Sequence, residues 1–206
     1  MIKLIIFDLW QTLAYRNVPY STTSKILEAA HSELPKDKFI KIFETSLQTK
    51  KWRSKYRAYT NLCHNIHLPV NDKNIKLLMN IRDKAEAKTK LFPYTIALLK
   101  RLKKLDYKTG LISNSSVFAV KCIKKIKIFK YIDYPLFSYQ VGAIKPSLKI
   151  FKVMLKMAKC KPAEAIMIGD KIGDDVIPPK KLGMHAIHFT DYQNLKTSLK
   201  KYNIHL

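Results

Sequence analysis

The chain has 206 residues, 47% of them apolar and 26% charged, which fits a packed protein with one full core and a small accessory unit and excludes a disordered chain. Lysine and arginine number 39 against 15 aspartates and glutamates, a formal net charge of +24, so the long-range field attracts anions such as phosphorylated metabolites, nucleotides and nucleic acid. No apolar run approaches the roughly 20 residues of a membrane span, and Cys63, Cys122 and Cys160 form no C-x-x-C pair, which argues against a zinc site or a disulfide framework.

The chain opens with MIKLIIFDLWQTLAY. Leu4 to Phe7 is a continuous apolar run, the pattern of a buried parallel strand, and Asp8 ends it. The run is too short for a secretory signal, so a reducing, cytoplasmic setting is expected. Residues 21–90 read as helical throughout. STTSKILEAAHSEL places Ile26, Leu27, Ala30 and Leu34 near helical spacing after a polar start. PKDKFIKIFETSL carries Phe39, Ile40, Ile42, Phe43 and Leu47, and NDKNIKLLMNIRDKAEAK is a further amphipathic helix. Between them, KKWRSKYRAY mixes Trp52, Tyr56 and Tyr59 with basic residues; it reads as an amphipathic helix with a solvated basic face rather than as a nucleic-acid contact.

From Leu91 the rhythm changes to strands alternating with helices: KTGLISNSS, PLFS, AIMIGDKIGDD and MHAIHF are strands, each followed or preceded by a helical pattern. This alternation implies an α/β fold, a Rossmann-like, doubly wound parallel sheet. The expected organisation is a core of residues 1–15 and 91–206, interrupted by a small all-helical cap at 16–90.

Four short segments fall at expected strand ends: FDLWQTL with Asp8 and Thr12, LISNSS with Ser113 and Asn114, AIKPS with Lys145, and MIGDKIGDDV with Asp170, Asp174 and Asp175. In a parallel sheet these ends share one crevice. Carboxylates converging there with a single lysine repel one another unless a cation joins them, and Mg²⁺ is a hard, oxygen-seeking ion suited to the role.

These four segments, in this order, resemble the motifs of the haloacid dehalogenase superfamily, most of whose members are Mg²⁺-dependent phosphatases. The resemblance covers residues 2–14 and roughly 92–189. It implies that Asp8 is the nucleophile, that Thr12 orients its loop, and that Ser113 and Asn114 contact the substrate, Ser113 through a phosphoryl oxygen. Lys145 would neutralise both nucleophile and phosphoryl group. Mg²⁺ would be held by Asp8, the Trp10 carbonyl, Asp170, and either Asp174 or Asp175, with Asp175 aligning better.

Trp10 departs from the family pattern. That position usually carries an aspartate whose side chain protonates the leaving group and later activates water. An indole does neither, and Trp10 is expected to pack as apolar filler against the cap while shaping the substrate pocket. Gln11 likewise replaces the usual glycine. The reading is a phosphatase for a small phosphorylated metabolite. Alternatives are a dehalogenase, which carries a tyrosine at the Trp10 position but lacks the metal site, and a catalytically weak relative that binds an anionic partner such as nucleic acid. After GDDV come Ile177, Pro178 and Pro179, so the helix there should be short or displaced. His185 and His188 read as structural.

Overall fold

The computed structural model describes residues 1–206. In chain order, strands β1 (Leu4–Phe7) and β2 (Ala14–Arg16) lead into helices α1 (Thr22–Ala29), α2 (Lys36–Gln48), α3 (Lys55–Asn65) and α4 (Asp72–Ala87). Strand β3 (Thr89–Leu91) brings the chain back to α5 (Thr95–Lys104), β4 (Lys108–Ser113), α6 (Val117–Lys125), β5 (Tyr134–Phe137), α7 (Ser138–Val141) and α8 (Leu148–Met157). The chain closes with β6 (Ala165–Gly169), α9 (Ile177–Lys181), β7 (His185–His188) and α10 (Tyr192–Lys200).

Five strands form a parallel sheet ordered β5-β4-β1-β6-β7. Strand order reverses at β1, so the crevice beyond its carboxyl end is the place where such sheets hold ligands. The apolar run of β1 is explained by burial on both faces. Ile5 and Phe7 point into one cluster with Leu98, Leu102, Ile123 and Leu195. Leu4 and Ile6 point into another with Ile150, Phe151 and Met154. Alternation at a period of two assigns each residue its face.

The four helices between β2 and β3 build a separate apolar cluster around Ile26, Phe39, Phe43, Leu62 and Leu78. Ser21, Ser54 and Asn71 cap the starts of α1, α3 and α4 by accepting from backbone N–H groups three residues on. Tyr59 lies inside this cluster, and Trp52 packs against it while donating to the Ser46 carbonyl at 3.1 Å. Two of the three aromatics in the basic segment are therefore interior packing.

Two strands escape the sequence reading. β2 and β3 pair antiparallel, Ala14 with Leu91 and Arg16 with Thr89, so residues 89 and 90 are extended rather than helical. The ribbon places the exit and the re-entry of the helical segment side by side. No helix is long and apolar enough to cross a membrane.

Leu62 is fully buried in the helical cluster. Leu62→Ala should lower unfolding free energy by about 2–5 kcal/mol, read as a lower denaturant midpoint at unchanged slope.

Candidate active site

The backbone N–H of Asp8 donates to the Ile168 carbonyl at 2.8 Å, so pairing between β1 and β6 extends to the aspartate itself. The loop that follows is tied back on itself: the N–H groups of Leu13 and Ala14 both donate to the Leu9 carbonyl, at 2.9 and 2.8 Å. From the start of α5, Tyr94 donates to the Thr12 carbonyl at 2.6 Å and Thr95 to the Leu13 carbonyl at 2.7 Å. The Thr12 hydroxyl is buried and unpartnered, and the loop is held through its backbone. Gln11 has φ 61°, a left-handed conformation that glycine adopts more easily.

Lys145 is buried and its ammonium lies 2.6 Å from Asp8 Oδ1 and 2.5 Å from Asp175 Oδ1. Asn114 brackets it. The Asn114 Oδ1 accepts from the Lys145 N–H at 2.8 Å, and its Nδ2 donates to the Lys145 carbonyl at 3.2 Å. Asp175 packs against Gly169, where a Cβ would fall 2.4 Å from the carboxylate; only glycine leaves room. The Lys171 N–H donates to Asp175 Oδ2 at 3.1 Å.

Asp8, Asp170 and Asp175 bring carboxylate oxygens within 4.8 Å of one another. Asp174 is not in this group; it forms an ion pair with Lys171 at 3.7 Å. The geometry thus separates the two adjacent acids, as the sequence could not. Three carboxylates against one ammonium leave an excess of two negative charges, and an all-oxygen donor set of that charge suits a hard divalent cation. Burial pushes the Asp8 carboxyl up, to about 7, against the pull of Lys145 and with the push of Asp175 and Asp170. Asp170 is raised by burial and by Asp175. Burial disfavours the charge on Lys145, but Asp8 and Asp175 outweigh it and hold the ammonium above its ordinary range.

Trp10 does not simply fill space against the helices. Its Nε1 donates to Ser115 Oγ at 3.0 Å, and the Arg16 guanidinium carbon lies 3.6 Å from its ring centroid. Ser113, at the end of β4, is fully buried, with its Oγ 2.9 Å from Ser115 Oγ; its hydroxyl belongs to this buried network rather than to the cavity wall.

A cavity of about 410 Å³ opens over the cluster. Asp8, Lys145 and Asp170 line its sheet side, and Phe43, Glu44 and Arg82 line its helical side. Glu44 was not singled out by sequence, since nothing in IFETSL distinguishes a catalytic acid from a helix-surface one. It accepts from Asn114 Nδ2 at 3.2 Å, and burial raises its carboxyl above the ordinary range, with Asp174 adding to the shift and Lys171 opposing it.

The sequence model of the haloacid dehalogenase-like hydrolase family matches residues 5–189, and the chain belongs to that family. It is 28% identical over 201 residues to a glyceraldehyde 3-phosphate phosphatase of Pyrococcus abyssi, a match covering 92% of this chain and 82% of the relative. With the protein of the same description from Pyrococcus furiosus it shares 35% identity over 107 residues, 50% of this chain and 45% of the relative. The chain thus spans less than half the length of some of the curated relatives it matches. A haloacid dehalogenase family enzyme from Bacteroides thetaiotaomicron, solved as a magnesium complex, superposes with a TM-score of 0.69 at 22% identity, covering 94% of this chain and 98% of that one.

A carboxyl whose folded pKa is raised binds its proton more tightly in the folded state, so its contribution to stability is complete below the unfolded value and is lost as pH rises through the folded one. For Asp8 that window runs from about pH 4 to about pH 7. In metal-free protein, Asp8→Asn should therefore be more stable than the parent near neutrality, with the difference shrinking toward about pH 4. Thermal unfolding in chelator across this range checks the sign.

Proposed function

We propose that the chain is a Mg²⁺-dependent phosphohydrolase that cleaves a small phosphorylated substrate through an aspartyl-phosphate on Asp8. The observation that carries this reading is the ammonium of Lys145 held between Asp8 and Asp175 at the mouth of the sheet, with Asp170 beside them. The glyceraldehyde 3-phosphate phosphatases among its relatives support the substrate class.

Asp8, Asp170, Asp175 and the Trp10 carbonyl would hold the ion, which supplies positive charge to the phosphoryl oxygens and to the anionic nucleophile. An oxygen of Asp8 attacks phosphorus, the bond to the leaving oxygen breaks, and the leaving group departs with a proton. Water then attacks the acyl phosphate, releasing phosphate and restoring the Asp8 carboxylate. Lys145 offsets the repulsion between the Asp8 carboxylate and an anionic phosphoryl group. Asn114 keeps Lys145 in place through both sides of its backbone.

Trp10 cannot supply the proton. Glu44 can: it lines the cavity with Asp8, its carboxyl is raised by burial, and Asn114 orients it. In this reading it protonates the leaving oxygen and afterwards takes a proton from the attacking water.

Release of phosphate from acetyl phosphate and from an alkyl phosphate, with and without Mg²⁺, tests the proposal. Both activities should require Mg²⁺ and disappear in Asp8→Asn. Turnover that persists in chelator, or in Asp8→Asn, would sink the mechanism. In a single turnover, Glu44→Gln should slow phosphoryl transfer from an alkyl phosphate to Asp8 by about 10²–10⁴-fold and transfer from acetyl phosphate far less, because acetate departs without a proton. Equal losses on both substrates would remove Glu44 from the role.

A further inference from the structure

Four buried side-chain polar atoms in the molecule lack any partner: Thr12 Oγ1, Arg16 Nε, Arg16 Nη2 and Gln48 Oε1. Both Arg16 and Gln48 line the cavity above Asp8. Native proteins pair nearly all buried polar groups, and an unpaired buried charge is among the most costly arrangements they contain. Three of these four atoms belong to two side chains of that one wall, and their missing partners call for an occupant.

The geometry of Arg16 narrows what that occupant is. Nε and Nη2 share one edge of the planar guanidinium, the edge whose two N–H groups match the two oxygens of a carboxylate or of a phosphoryl group. The face of the same guanidinium rests on the Trp10 ring, 3.6 Å from its centroid. A stack of this kind holds a cation by its face and leaves its edge free. The neighbouring carboxylate is already engaged: Glu86 accepts from Arg82 Nε at 2.6 Å. Two buried guanidinium groups thus share a single carboxylate. Burial and the proximity of Arg82 both work against the charge on Arg16, so an incoming anion relieves a cost already present in the free protein.

We propose that the Arg16 edge is the receptor for a second, non-reacting oxyanion of the substrate, so that this site selects phosphate esters carrying a carboxylate or a second phosphoryl group within one cavity's span of the phosphorus. Gln48 Oε1, an acceptor without a donor, fits a hydroxyl or amide N–H of the same ligand. The proposal rests on the phosphohydrolase reading for the identity of the reacting group, but it assigns a different part of the cavity.

The same contacts account for Trp10. An aspartate there would lie under Arg16 and neutralise it internally. An indole anchors the cation without competing for the N–H groups that the ligand needs.

The test uses non-hydrolysable probes on the full chain with Mg²⁺: methylphosphonate, phosphonoacetate and methylenediphosphonate, their affinities measured by calorimetry. The parent should bind at least one doubly functional probe about tenfold or more tightly than methylphosphonate. Preference for phosphonoacetate identifies a carboxylate, and preference for methylenediphosphonate a second phosphoryl group. R16Q should bring the ratio to within about twofold of unity, and R16K, which keeps the charge but lacks the two-donor edge, should recover only part of it. The ligand-free Tm of R16Q should match or exceed that of the parent, because an unpaired buried cation is removed.

A parent that binds all three probes equally, binds none of them, or keeps its preference in R16Q overturns the assignment. So does a Tm that falls in both variants, which would mark Arg16 as structural. Acetyl phosphate turnover reads the phosphohydrolase proposal separately. Turnover without probe preference removes the Arg16 receptor alone, and preference without turnover keeps the receptor while removing the hydrolase.

Discussion

The contact on which the site depends is the ammonium of Lys145 between Asp8 and Asp175. Each partner comes from a different strand end or loop, and each is buried. None would be tolerable alone, since an isolated charge at that depth would neutralise or drag water in. Together they form a cluster whose net charge is still negative, and this residual charge is what makes the crevice receptive to a divalent cation. The surrounding details serve to hold the arrangement: Asn114 fixes the backbone of Lys145, Gly169 yields the space that Asp175 occupies, and the short bonds to the Leu9, Thr12 and Leu13 carbonyls keep the Asp8 loop closed.

The chemistry on the opposite wall has another origin. Glu44, Gln48 and Arg82 come from α2 and α4, whose packing is decided by their own apolar cluster and not by the sheet. Trp10 sits where the two meet. Its Nε1 is bound into the Ser113 and Ser115 network below, and its ring carries Arg16 above. The residue that looked like a loss of catalytic function is, in the folded molecule, a joint between the two walls.

The sheet was legible because its signals are strong. The four-residue run of β1, the polar strand ends, and the alternation of strands and helices after Leu91 all appear in the sequence, and the parallel sheet follows them. The short α9, starting at Ile177 before two prolines, agrees with the expected brevity of that helix. β2 and β3 were illegible because three residues show no period. Arg16 was hidden among 39 basic residues, and nothing in a linear string reveals that two of its N–H groups are left unpaired. Glu44 was hidden for a similar reason: its environment, not its spacing, raises it above the ordinary range. Ser113 stands at the strand end where it was expected, yet its hydroxyl is buried against Ser115.

The ribbon of β2 and β3 also bears on how the chain finds its fold. β1 must pair with β4, Leu4 opposite Lys108, and in an unfolded chain the intervening residues form a long loop whose closure is entropically costly. Arg16 and Thr89 lie side by side in the ribbon, so once the four helices have assembled, roughly three-quarters of that loop is already gathered at its neck. The central strand pair then closes across roughly thirty residues instead of about a hundred, which lowers the entropic cost of its long-range pairing.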